Sequence, residues 1–379
     1  MTSSRLVKAA VVATLVLSAS ALAGCAPTTP GGTRTSPSPT ASPVVRLSVV
    51  KDVFSAASWS ASSAKGLSSP PLVVGDRVVV ASGSGVSGFD AKGIEQWHAT
   101  VDLLPNSTNP NGVRTVIVAS PSVIAVIDQG TLERSTSGTR VTLLGAADGK
   151  KIAAQNLPGD QVQHTTGLAF TVTTGSTTEY VAVSPKTGQK ITTADGKLPL
   201  ATVGDSVIWG VPYSGNMGVQ SAVTTGLPLE NSTVQASDGH GVVVLSNQDA
   251  TAWVNLATGK TLTPDASCTR PPAPQALHAS PNGAYVVGGN ALADVQKGTI
   301  TCTTTPAVTW DAITDKGVAY GRTTDTPRSL VVATAGAAPK TYPMPTDGAQ
   351  TFVLGFTTGG TAVLFDPASG IVNGTAVKS

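Results

Sequence analysis

The sequence predicts an all-β fold, a β-propeller of four-stranded antiparallel blades. Three observations lead there. The 379-residue chain carries 40 glycines and 26 prolines and is rich in Thr, Ser and Val. Long helical periodicity is missing, and short apolar runs alternate with turn residues, as short strands joined by tight turns require. One kind of turn also recurs at a near-constant interval, which marks a repeat architecture.

The chain opens with a leader. Arg5 and Lys8 precede an apolar run from Ala9 to Ala21, and Leu22-Ala23-Gly24-Cys25 follows. The run is shorter than the ~20 residues that a spanning helix needs. Small residues before a cysteine read as the processing site of a secretory signal peptide. This stretch resembles the lipobox of bacterial lipoproteins. The resemblance implies cleavage before Cys25, diacylglyceryl modification of its thiol, and a mature chain held to a membrane by lipid. One acyl chain binds only marginally, whereas two hold stably. The expected organisation is residues 1–24 as signal peptide, 25–45 as a tether and 46–379 as the propeller. The tether is Pro, Thr, Ser and Gly with one charge, Arg34. Such a composition cannot bury itself and stays extended.

The first full repeat starts at Pro71. Leu72-Val73-Val74 is an apolar strand and Gly75-Asp76 a turn; Arg77 to Ser82 forms a Val-rich second strand. Gly83-Ser84-Gly85 turns again, Val86 to Phe89 is a third strand, Asp90-Ala91-Lys92-Gly93 a third turn, and Ile94 to Trp97 a fourth strand. Four antiparallel strands in so short a stretch make one propeller blade.

The Asp-x-x-Gly or x-Thr-Gly turn then recurs, with its glycine at Gly93, Gly149, Gly188, Gly226, Gly259, Gly298, Gly336 and Gly370. Six of the seven intervals lie between 33 and 39 residues; the first is 56 and contains the loop Asp102 to Gly112. A positive φ at such a turn favours glycine. Eight turn glycines predict eight blades, with seven as the alternative. Segment Arg46 to Trp59 precedes the first repeat. It is expected to close the ring as the outer strand of the last blade, beside Gly359 to Phe365.

Pro70 to Trp97 resembles a unit of the pyrroloquinoline-quinone-like repeat. That repeat occurs in quinoprotein dehydrogenases and in the lipoprotein propeller of the outer-membrane assembly machinery. The shared marks are a leading Pro, the Gly-Asp turn, the Asp-x-x-Gly turn and a closing Trp. Val141 to Ile152, Val181 to Lys190, Trp253 to Thr261 and Val363 to Gly370 echo parts of the pattern. The quinone enzymes need a calcium-holding acidic cluster, and most of their alcohol-oxidising members also carry adjacent cysteines. Neither feature stands out here, so no cofactor and no enzymatic activity are expected.

Without Cys25, the cysteines reduce to Cys268 and Cys302. In an exported, oxidising setting they are expected to form a disulfide. The turn map puts Cys302 on an outer strand and Cys268 just past the preceding one, so the bond would staple neighbouring blades at the rim.

Chemistry is sparse. Gly83-Ser84-Gly85-Val86-Ser87-Gly88 has the dinucleotide-loop spacing, but a strand follows it where phosphate binding needs a helix. His98, His164, His240 and His278 are not spaced as metal ligands. Beyond the leader, Lys plus Arg balance Asp plus Glu at 22 each, so nucleic acid is not an expected partner. Trp59 and Trp97 read as blade-packing residues. The expected function is a lipid-anchored, monomeric scaffold on the extracytoplasmic face of a bacterial membrane, binding an envelope protein. A ligand in the central channel is the alternative.

Overall fold

A computed structural model describes residues 46–62, 70–82, 85–105, 114–132, 136–191, 198–204, 206–212, 221–223, 229, 232–346 and 350–378. The leader, Cys25 and the tether lie outside the described residues, as does Gly226. Residues 44–379 form one compact unit.

Among the described residues the named elements are strands, and they group into eight sheets. We number these as blades in chain order. Blade 1 holds Leu72–Val74, Arg77–Ser82, Gly85–Phe89 and Glu95–Thr100. Blade 2 holds Arg114–Ser120, Val123–Thr131, Ser137–Gly145 and Lys151–Pro158. Blades 3 to 7 start at Gln161, Leu198, Thr233, His278 and Val308. Blade 8 takes Phe352–Phe356, Ala362–Asp366 and Ile371–Thr375, then borrows Trp59–Ser62 from the start of the chain. Six sheets have four strands. Blade 4 shows three among the described residues, and blade 6 gains a fifth.

The turn glycines behave as their spacing predicts. Gly93, Gly149, Gly188, Gly259, Gly298, Gly336 and Gly370 all have φ between 66° and 77°. Six of them join the third and fourth strands of a blade. Gly370 joins the second and third strands of blade 8. The fourth strand of that blade comes from the other end of the described residues. This corrects the expected pairing. The closing strand is Trp59–Ser62 instead of Arg46 to Trp59, and its partner is Ile371–Thr375 instead of Gly359 to Phe365. Residues 46–58 form an irregular strap. Val50, Val53 and Phe54 are buried between blades 7 and 8, and Leu47 donates its N–H to the buried Asn373 side chain at 2.7 Å.

The core is a ring of layers between blades. Side chains alternate along a strand, so a strand with blades on both sides must be apolar on both faces. Val78 and Val80 face blade 8, whereas Val79 and Ala81 face blade 2. Ile124 and Val126 pack toward blade 1, and Ala125 and Ile127 toward blade 3. This explains the unbroken apolar runs Val78-Val79-Val80 and Val123 to Ile127.

The first strand of each blade is bulged in blades 2, 4, 5, 7 and 8. A bulge adds one residue, bends the strand and re-aims a side chain. In blade 7 the bulge falls between Trp310 and Ala312 and places Asp311.

Candidate functional site

Several seams between blades are built from a small number of specific contacts. Trp59 lies over Gly374 of its own blade and over Gly93 of blade 1, and its indole N–H donates to the Ala91 carbonyl at 2.9 Å. Trp97 repeats the arrangement one blade on. It covers Gly88 and Gly149 and donates to the Ala146 carbonyl at 3.1 Å. A Cβ at any of these four glycines would overlap an indole ring. Both tryptophans thus pack blades, as their positions in the repeat predict.

Trp97 stands four residues past its turn glycine, and the same offset docks other seams. Ala153, four past Gly149, packs on Gly188 of blade 3. Thr263, four past Gly259, donates its backbone N–H to the Gly298 carbonyl of blade 6 at 2.7 Å. Cys302, four past Gly298, is bonded to Cys268.

The disulfide joins the fourth strand of blade 6 to the crossover arriving from blade 5. Thr263–Pro264 of that crossover lies parallel to Thr299–Cys302 and covers its outer edge. Asp265 accepts from Ser267 Oγ at 2.5 Å and from Thr301 Oγ1 at 2.9 Å. The Ser267 hydrogen bond, with Thr301 adding to it, holds the Asp265 carboxyl below the usual range. Farther along, the Pro272 carbonyl accepts from the buried Trp253 indole at 2.9 Å.

The histidines do not converge. His98 lies on the outer strand of blade 1, near Ser87 and Glu95. Ser87 Oγ is 2.9 Å from Glu95 Oε1 and 3.0 Å from His98 Nδ1; Glu95 Oε1 is 3.6 Å from that same Nδ1. A catalytic triad needs serine and acid on opposite ring nitrogens. Here both meet Nδ1, so the group is not wired for nucleophilic attack. His164 Nε2 bonds the Gly167 carbonyl at 2.6 Å, and His240 sits in the turn Asp238 to Gly241. Among the described residues no group of three His, Cys, Asp or Glu could hold a metal. Gly85–Phe89 continues as strand, so the glycine-rich motif has no phosphate-binding helix.

One charged group was not predicted. Asp311 on the first strand of blade 7 and Arg322 on its second strand pair near Phe352 of blade 8, and His278 on the first strand of blade 6 lies within electrostatic reach of Asp311. Arg322 gives Asp311 two hydrogen bonds, Nε to Oδ2 at 2.8 Å and an Nη to Oδ1 at 2.7 Å. Its guanidinium lies 4.7 Å from the Phe352 ring centre. Asp311 is 8% exposed; burial pushes its pKa up, against the pull of Arg322. His278 is solvent-accessible, yet the protein around it desolvates the ring and lowers its pKa, with Asp311 opposing. No local pattern could have signalled this group, because the bulge that aims Asp311 is a property of the pairing.

No family model and no curated protein matches this sequence. Among solved structures, the chain is similar to BamB from Moraxella catarrhalis at 10% identity, over 88% of this chain and 100% of the other, with a TM-score of 0.33. It is similar to the propeller domain of Cps50 (Swd1) from Myceliophteria thermophila at 9% identity, over 82% and 96%, with a TM-score of 0.41. A third is the propeller domain of the Trilobed protease from Pyrococcus furiosus, at 10% identity over 78% and 89%, with a TM-score of 0.33. Likeness at this level brings no function with it, and the propeller is read from the sheet order above.

Proposed function

We propose that this protein is a lipid-anchored β-propeller of the pyrroloquinoline-quinone-like repeat type, acting as a protein-interaction scaffold on the extracytoplasmic face of a bacterial membrane. The observation that carries the reading is the locking of neighbouring blades at the seams 8–1, 1–2, 2–3 and 5–6. A rigid ring leaves its loops and outer strand edges as the surfaces free to vary and to bind. Two further points support it: the Leu22 to Cys25 leader, and the miswired Ser87, His98 and Glu95, which favour binding over catalysis. The anchor would be Cys25, and the chain would work as a monomer with an envelope protein as partner.

Two measurements test this. Cross-linking in intact cells, followed by recovery from membranes, should return one defined envelope partner. Recovery of none counts against the scaffold. Labelling with a fatty-acid analogue should mark the wild-type protein and leave Cys25→Ala unmarked; equal labelling of both removes the anchor.

The group His278, Asp311 and Arg322 favours a second reading, a small ligand, peptide or cell-wall fragment held at the inner strands. It predicts a rise in melting temperature with cell-wall fragments that is lost in Arg322→Gln. Unchanged melting across such fragments would dismiss it.

A further inference from the structure

We infer that the outer strand of blade 2, Lys151–Pro158, is a docking edge onto which an extended segment of a partner chain adds as a fifth strand. This rests on the scaffold reading and narrows it to one edge.

Outer strands present unpaired N–H and C=O groups, and proteins normally blunt such edges by shortness, charge, proline or cover. The other described outer strands are all shorter, that of blade 8, Trp59–Ser62, having four residues. Those of blades 3 and 5, Lys190–Ile191 and Lys260–Thr261, are two residues long. Blade 6 is covered by Thr263–Pro264. Blade 7 offers only four residues, Lys340–Pro343. Blade 1 carries Glu95 and His98 within its six residues.

Blade 2 departs from the rule. Its outer strand is eight residues long; a bulge at Ile152 interrupts the pairing near its start, and the regular run Ala153-Ala154-Gln155-Asn156-Leu157 beyond it holds no charge. Two consecutive alanines leave the backbone open. Ile152 is 44% exposed, one of two large apolar side chains so displayed among the described residues. Among those residues, the only group reaching an outward backbone atom of the strand is Gln155 Nε2, on the Asn156 carbonyl at 2.9 Å. A row of free backbone groups is met best by another extended backbone, with side-chain pockets adding specificity.

Such a pocket lies alongside. A groove of about 360 Å³ runs between blades 1 and 2, lined by Val101, Thr142, Leu144, Ala154 and Asn156. The charges at its rim select the occupant. Arg140 is taken by Asp102 at 3.0 Å and Lys150 by Asp148 at 2.9 Å. Lys151 has no ion-pair partner among the described residues. The matching segment is therefore extended, with a small apolar side chain toward the groove and a carboxylate opposite Lys151.

The test uses the full-length protein in its own membranes. p-Benzoylphenylalanine replaces Ile152 in one variant and Thr341, on the blade 7 edge, in another. We expect irradiation to capture one partner segment from position 152 and none from 341. Adding Ala154→Lys, the charge other edges carry, should suppress that capture about tenfold. A synthetic peptide of the captured segment should slow hydrogen exchange at alternate amides of 151–158. Three outcomes overturn the proposal: equal capture at both positions, capture of a second copy of this chain, or capture unaffected by Ala154→Lys. If a partner is recovered by general cross-linking but not from 152, the edge is wrong and the scaffold stands. If nothing is recovered by either route, the scaffold itself fails.

Discussion

The seams flanking blade 1 and the seam between blades 5 and 6 solve one problem by different chemistry. At the first two, an indole lies across two glycines and its N–H caps the turn of the next blade. Between blades 5 and 6 no tryptophan is at the docking position. Thr263 reaches the next turn through its backbone, and a disulfide pins the crossover against the outer strand. Trp97 and Thr263 keep one position, four residues past the turn glycine, while the group that docks there changes; Trp59 reaches the same kind of seam from the closing strand. The apolar solution depends on area buried from water, the covalent one on restricting the unfolded chain.

Removing the closing segment is the most severe way to break the comparison. Deleting residues 46–62 takes away Trp59, the outer strand of blade 8 and the strap bearing Val50, Val53 and Phe54. Blade 8 would be left with three strands, and the indole-docked seam to blade 1 would be gone. We expect the sharp urea transition to be replaced by a broad one, followed by circular dichroism. A variant that unfolds as cooperatively as wild type would show that the indole seam does not close the ring.

Trp97→Ala comes next, with an expected loss of about 3–5 kcal/mol in denaturant unfolding, as for large aromatic truncations in cores. The glycines beneath the ring sharpen this. They exist to admit the indole, so the truncated variant leaves a cavity that Gly88 and Gly149 cannot fill. A loss below about 1 kcal/mol would mean that neighbouring blades collapse onto each other without the ring.

The double variant Cys268→Ser, Cys302→Ser is expected to lose about 2–4 kcal/mol. The bond closes a sequence separation of 34 residues, which makes the effect an unfolded-state one. Hydrogen exchange should then rise in 265–277, where three prolines leave few backbone bonds, and stay unchanged around Trp97. Equal increases at both seams would show that the two joints are not independent.

How far the sequence foretold these joints depends on the range of the interaction. The turn glycines were legible because the conformation they serve is local. The disulfide followed from counting thiols in a chain expected to be exported, and the packing role of Trp59 and Trp97 from their place at the end of a unit. What escaped was pairing between distant segments. Gly370 looks like every other turn glycine, yet it sits one strand earlier in its blade, and that moved the partner of the closing strand to Ile371–Thr375. The fifth strand on blade 6 and the uncharged edge of blade 2 become visible only when all outer strands are compared in place. The joint formed by His278, Asp311, Arg322 and Phe352 draws on three blades, and a bulge decides where Asp311 points.

That three-blade joint gives the smallest expected effect, and one the two tryptophan seams should not share. His278 holds its proton less readily in the folded protein than in the unfolded chain, because the surrounding protein desolvates the imidazolium, while Asp311 opposes. A histidine with a lowered folded pKa binds protons preferentially when unfolded, so its stability is complete above about pH 6.5 and is lost progressively below it. The groups facing it are Asp311 directly, and through Asp311 the cations of Arg322 and Arg328. Urea midpoints measured from pH 7.5 down to 5 should therefore fall more for wild type than for His278→Gln, which cannot take up the proton. Parallel pH profiles in the two proteins would show that this seam, like the indole ones, is indifferent to protons.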